Sequence, residues 1–161
     1  MTVAYIGLGA NMGEPLRQLR DAMQALAGLP DTHIVACSSF YRTAPVGTTA
    51  QPDFINAVCA IETALSAPAL LHRLLDIERG QGRVRLGAPG GPRTLDLDLL
   101  LHGTSRLNTD ALSLPHPRMH ERRFVLLPLC EIAPTLEIPG RGAVAALLAS
   151  SDGQRVERLE S

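Results

Sequence analysis

Tryptophan is absent from this chain, and two tyrosines and three phenylalanines are its whole aromatic complement. A sheet that reads RNA needs exposed aromatics at paired strand positions, and this chain offers few. Fifteen Lys and Arg against sixteen Asp and Glu leave a formal charge of −1, without the basic excess that a nucleic-acid binder carries. No apolar run approaches the roughly 18 residues of a membrane span, and no charged region followed by a signal core opens the chain. The expectation is therefore a cytoplasmic protein with neither nucleic acid nor membrane as partner. Cys37, Cys59 and Cys130 are scattered, odd in number and without CxxC spacing. They read as buried small apolar residues in a reducing cytosol, neither a disulfide frame nor a zinc site. No repeat, low-complexity tract or boundary divides the chain, so residues 1–161 are expected to form one domain. Such a length buries about 70% of its unfolded surface.

What is present is concentrated in Gly91-Pro92-Arg93-Thr94-Leu95-Asp96-Leu97-Asp98-Leu99-Leu100-Leu101. At strand period Asp96 and Asp98 share one face, and Leu95, Leu97 and Leu99 the other. Two carboxylates on adjacent same-face positions sit roughly 6–7 Å apart. At an effective dielectric near 20 they repel by about 2–3 kcal/mol, and Asp is a poor strand former. Something positive between them would offset both costs. Mg²⁺ suits hard oxygen ligands on a rigid strand, taking one or two carboxylates plus phosphates and water. An exposed sheet edge whose aspartates pair with Arg83, Arg85 or Arg93 is the plain alternative.

The rest of the chain supplies a frame. Residues 3–8 read as a buried first strand, followed by Gly7-Leu8-Gly9-Ala10-Asn11-Met12-Gly13. Met12 stands where a dinucleotide fingerprint needs glycine, and no Lys-Ser/Thr completes a P-loop. A tight turn between strand and helix is the simpler reading. Pro15 opens a helix with Leu16, Leu19, Met23, Leu26 and Leu29 as its apolar stripe, stopped by Gly28 and Pro30. Residues 33–42 alternate as a strand, residues 43–52 form a loop by composition, and residues 54–63 resume strand character. Phe54, Asn56 and Val58 share a face of that strand. A ring beside an amide can stack a flat heterocycle and bond its edge, and an amide satisfied by a neighbouring loop is the bland reading.

Ser66 caps a second helix with Pro68 in its first turn and Leu70, Leu71, Leu74, Leu75 and Ile77 inward, ending at Gly80 or Gly82. Arg83 and Arg85 lie in the glycine-rich loop that follows, as a lid over a polyphosphate or a solvated linker would have them. Residues 115–124 hold His116, Arg118, His120, Arg122 and Arg123, a second basic patch fit for phosphate. Two short helices follow, at residues 125–132 and 144–149, and residues 154–161 read as a loosely held end. Strand, helix, strand, strand, helix, strand is the βαββαβ order of a ferredoxin-like antiparallel sheet. The expected class is thus α+β, with helices packed on one face and extra C-terminal helical elements.

Five stretches carry a resemblance across nearly the whole chain. They are Tyr5-Ile6-Gly7-Leu8-Gly9-Ala10-Asn11, Ser39-Phe40-Tyr41-Arg42-Thr43, Gln51-Pro52-Asp53-Phe54-Ile55-Asn56-Ala57, Gly91-Pro92-Arg93-Thr94-Leu95-Asp96-Leu97-Asp98 and Pro115-His116-Pro117-Arg118-Met119. In this order and spacing they resemble the 6-hydroxymethyl-7,8-dihydropterin pyrophosphokinases of folate synthesis. The resemblance implies pyrophosphoryl transfer from ATP to the pterin hydroxymethyl group, releasing AMP, with two Mg²⁺ held by Asp96 and Asp98. It implies a pterin between Phe54 and Phe124, its edge read by Asn56 and by the Thr43, Ala44, Pro45 and Val46 loop, with Asp96 nearby. It assigns Arg83 and Arg93 to the phosphates as the loop closes, and Glu78, Arg85, Arg93, Leu99, Ser113, His116 and Arg122 to ATP. A monomer is expected. Departures are Ala10 for a commoner serine, Phe54 for a commoner tyrosine, and Pro89 and Gly90 where members can carry a basic residue and tryptophan. A ferredoxin-like regulatory module that binds a small ligand without chemistry is the alternative, and it gives Asp96 and Asp98 no purpose.

Overall fold

The computed structural model describes residues 1–44, 52–81, 95–151 and 155–159. In chain order these residues form β1 (Thr2–Ala10), α1 (Pro15–Ala27), β2 (Thr32–Cys37), β3 (Tyr41–Thr43), β4 (Phe54–Thr63), α2 (Ala67–Gly80) and β5 (Asp96–His102). After them come β6 (Leu107–Asn108), β7 (Ser113–Leu114), α3 (Arg123–Ile132), β8 (Glu137–Ile138), β9 (Gly142–Ala143), α4 (Val144–Ser150) and β10 (Val156–Arg158).

The main antiparallel sheet runs β10-β3-β4-β1-β5, and β2 pairs with the far end of β4. Strands β2 and β3 thus lie along one edge of β4 as a single strand broken at residues 38–40. The expected βαββαβ order is present. The break corrects the expectation of one continuous strand over residues 33–42. Ser38 explains it: its hydroxyl accepts the Val58 N–H at 2.9 Å, standing in for a ladder carbonyl.

Period-2 alternation divides the core. Ala4, Ile6 and Leu8 of β1, Ile55, Ala57 and Ile61 of β4, and Leu95, Leu97 and Leu99 pack beneath α1 and α2. Pro15 opens α1, which buries Leu19, Ala22 and Leu26. Leu16, expected in that stripe, is exposed instead. Ser66 Oγ accepts the Ala69 N–H at 3.3 Å and caps α2, which buries Leu70 and Leu74. On the opposite face Val58, Leu100 and Leu101 meet Met119, in the turn before α3, with Leu126 and Leu129 of α3 and Val144 of α4. A bulge where Tyr5 faces Leu101 and Ile6 faces Leu99 turns both Leu100 and Leu101 toward this second core. The C-terminal helices therefore roof part of the sheet and leave the rest open.

Two further expectations are corrected. Residues 156–158, read as part of a loose end, pair with β3, and the Leu159 N–H bonds the Phe40 carbonyl at 2.8 Å. The edge of β3 offers unpaired backbone groups, and any short extended segment can satisfy them. Cys37, expected to be buried, is exposed.

Candidate active site

The open part of the sheet holds a cavity of about 520 Å³, inside the range of about 300–1,000 Å³ usual for small-molecule sites. Its floor is set by strand register. Gly9 of β1 lies between Asn56 on β4 and Asp96 on β5, and Gly7 lies between Val58 and Asp98. Both glycines line the cavity. They belong to β1, so the turn expected over residues 7–13 begins only after Ala10. Without side chains there, the groove runs from the amide of Asn56 across to the two carboxylates. Gly9 is close to its limit, since a Cβ would stand 2.8 Å from Asn56 Oδ1.

The walls come from three directions. Phe54 and Asn56 share a face of β4, as the alternation predicts, and Asn56 Nδ2 donates to Thr43 Oγ1 at 3.1 Å. Thr43 and Ala44 line the cavity from the end of β3. That strand is clamped to α3 by Glu131, which accepts from the Tyr41 hydroxyl at 2.5 Å and the Ser39 hydroxyl at 3.0 Å. Phe124 and Arg122 enter at the start of α3, with the guanidinium 5.6 Å from the ring centroid, a cation–π contact.

A second cavity of about 220 Å³ is lined by Leu71, Leu99, Leu112, Ser113 and His116 among others. Asp98 borders both cavities, whereas Asp96 faces the larger one alone. Burial lowers the His116 pKa to about 4, and the charge of Arg122 adds to that, so the ring is neutral near pH 7. Its Nδ1 accepts the Arg118 N–H at 3.2 Å, which leaves Nε2–H as a donor. Arg141 donates to the carbonyls of His116 and Pro115 and contacts His120 Nδ1 at 3.0 Å, holding this segment from outside.

The expected pterin residues Thr43, Ala44, Phe54, Asn56, Asp96 and Phe124 thus meet in one cavity together with Arg122. The expected nucleotide residues Leu99, Ser113 and His116 meet in the other. Glu78 is in neither wall. It is 3% exposed, and its Oε2 accepts the Leu97 N–H at 2.7 Å between the two aspartates. Pro45, Val46, Arg83, Arg85, Arg93, Pro89 and Gly90 lie outside the described residues. Gly7 and Gly9 are site residues that the sequence reading misses. Their spacing of two, on the strand face shared with no apolar residue of the first core, is the signal that could have found them.

The 7,8-dihydro-6-hydroxymethylpterin-pyrophosphokinase (HPPK) family matches residues 5–134 of this chain. The chain belongs to it. The pyrophosphokinase of Haemophilus influenzae, named for 2-amino-4-hydroxy-6-hydroxymethyldihydropteridine, is 47% identical over 148 residues, 92% of either chain. The enzyme of that name from Methylorubrum extorquens is 44% identical over 160 residues, covering 99% of this chain and all of its own. Wild-type HPPK-DHPS of Plasmodium falciparum superposes with a TM-score of 0.69 over 92% of this chain at 13% identity, a likeness of fold alone. The present chain spans 43% of that solved chain. As an HPPK, the chain catalyses pyrophosphoryl transfer from ATP to hydroxymethyldihydropterin in folate biosynthesis. That activity decides against the non-catalytic regulatory module.

Proposed function

We propose that the larger cavity takes the pterin, the smaller one the nucleotide, and that Asp96 and Asp98 hold two Mg²⁺ where the substrates meet. The observation that carries this reading is the position of Asp98, in the wall of both cavities. Two carboxylates at strand spacing suit a hard cation that draws its remaining ligands from water and phosphate. Among the described residues no group of three or more His, Cys, Asp or Glu gathers, so a site built wholly from protein ligands is not what these residues would make. When bound, Mg²⁺ would neutralise phosphate charge and favour ionisation of the pterin hydroxyl.

The chain's own residues do the positioning. Phe54 and Phe124 offer two ring faces for the pterin, and the Asn56 amide, oriented by Thr43, offers donor and acceptor to its edge. Leu99 and Ser113 receive the nucleotide's apolar face and edge. His116, neutral and with Nε2–H available, donates to a phosphate oxygen without adding the cost of burying a charge. Arg122 supplies fixed positive charge beside the reacting phosphates. Arg83, Arg85 and Arg93 complete the phosphate contacts in this reading, and Glu78 serves the nucleotide site by holding the β5 backbone. Binding orients the hydroxyl on the β-phosphorus, with little covalent work left to side chains. We read residues 1–161 as one domain acting as a cytoplasmic monomer; the family match spans residues 5–134, and no helix among the described residues is long and apolar enough to cross a membrane.

The test is nucleotide product analysis with ATP and 6-hydroxymethyl-7,8-dihydropterin, with and without Mg²⁺, for the wild type and Asp98→Ala. Metal-dependent AMP that falls by about 10²–10⁴ in the variant, a loss of several kcal/mol, is expected. Full turnover in Asp98→Ala, or in metal-free buffer, would rule out the aspartates as the metal's protein ligands.

A further inference from the structure

Cys37 and Cys59 stand opposite each other in the β2–β4 ladder. The Ser38 N–H bonds the Val58 carbonyl at 2.9 Å just beyond them, so this is a non-hydrogen-bonded pair of the antiparallel ladder. At such positions Cα atoms approach to about 4.5 Å, within the range of about 4.4–6.8 Å that a disulfide spans. The two sulfurs already lie 2.7 Å apart. Cys37 is exposed, while Cys59 is closed into the core beneath the helices. Cys130 packs with the second core on the other face of the sheet and has no part in the pair.

We propose that Cys37 and Cys59 form a reversible cross-strand disulfide when the protein meets hydrogen peroxide. The Cys37 thiolate attacks the peroxide oxygen: an S–O bond forms, the O–O bond breaks, and hydroxide leaves to take up the thiol proton as water. The Cys59 sulfur then attacks the Cys37 sulfenic acid, forming the S–S bond and breaking S–O. The Cys59 proton leaves with that oxygen as a second water. Two thiols are oxidised and one peroxide is reduced to two waters. The order follows from access, since only Cys37 faces solvent and only Cys59 is placed to resolve it. The hydrogen bond from the Cys59 thiol favours the Cys37 thiolate, which supports the same order. With the Cys37 sulfur at the surface, the bond is also open to reduction by a dithiol.

The bond would close the chain between residues 37 and 59, tying β2 to the strand that carries Phe54 and Asn56. The sulfurs lie on the helix face of the sheet, away from the cavity.

The experiment is peroxide treatment of the whole protein, followed by thiol counting, intact mass and thermal unfolding without reductant. Free thiols are expected to fall from three to one, with a loss of about 2 Da. Tm should rise by about 6–12 °C through loop closure, and dithiothreitol should reverse all three changes. Cys37→Ser, at an exposed site, and Cys59→Val, which keeps the core apolar, should each abolish the mass loss and the Tm rise. Three thiols persisting after peroxide, over-oxidation of Cys37 with Cys59 still free, or the same mass loss in either variant would overturn the proposal.

Discussion

Replacing Glu78 by alanine tests whether the metal-facing strand is held from behind. Strand β5 ends the main sheet, so among the described residues only β1 pairs with it. The Leu97 N–H, between Asp96 and Asp98, is taken by the buried Glu78 carboxylate at 2.7 Å. In Glu78→Ala that donor keeps its burial and loses its acceptor, a cost of about 1–3 kcal/mol, toward the upper end because the acceptor is a carboxylate. For a chain of this size the expected fall in Tm is about 4–12 °C. Glu78→Gln keeps an acceptor oxygen of the same reach and should cost no more than about 1.5 kcal/mol. Three readouts separate this from a general loss of packing. Thermal unfolding orders the variants as wild type, Gln, Ala. Amide exchange at Leu97 should accelerate in the alanine variant well beyond amides in β4. The kcat should fall more in Ala than in Gln, because a looser β5 misplaces both aspartates. An alanine variant with unchanged Tm and an equally protected Leu97 amide would refute the reasoning.

Gly9→Ala puts a methyl 2.8 Å from Asn56 Oδ1 and must turn the amide away from Thr43; the KM for the pterin should rise by about ten- to a hundredfold, with the KM for ATP unchanged in initial-rate assays. Arg141→Ala removes the donors that hold the Pro115 and His116 carbonyls. Steady-state kinetics should show the KM for ATP rising by about 3–10-fold, the worth of a hydrogen bond or two, while pterin binding is kept. His116 makes stability depend on pH: folding lowers its pKa from 6.5 to about 4, so the unfolded chain takes up the proton first as pH falls. Its contribution is intact above pH about 6.5 and is lost as pH falls toward about 4. Denaturant unfolding at several pH values should find a shallower decline in that window for His116→Gln than for the wild type.

Much of this site is legible in the chain because strand alternation is a rigid rule. Asp96 and Asp98 on one face, Leu95, Leu97 and Leu99 on the other, and Phe54 beside Asn56 all follow from a period of two, and the structure keeps each assignment. The βαββαβ order follows for the same reason. What stays hidden is of another kind. Gly7 and Gly9 look like a turn because glycine usually marks one. Their use inside β1 is to have no side chain between Asn56 and Asp96, a property of three strands at once. The break at residues 38–40 depends on one hydroxyl replacing a carbonyl, and no local propensity encodes that choice. Strand β10 exists because the edge of β3 lies open to it; its own three residues carry no signal. The resemblance assigns Glu78 to the nucleotide, but the Leu97 N–H that its carboxylate accepts belongs to β5 and cannot be read from α2 alone. These misses share a cause. Each residue is chosen for an atom on another strand, so its purpose becomes readable only once the register is fixed, and register is set by the pairs that alternation does reveal.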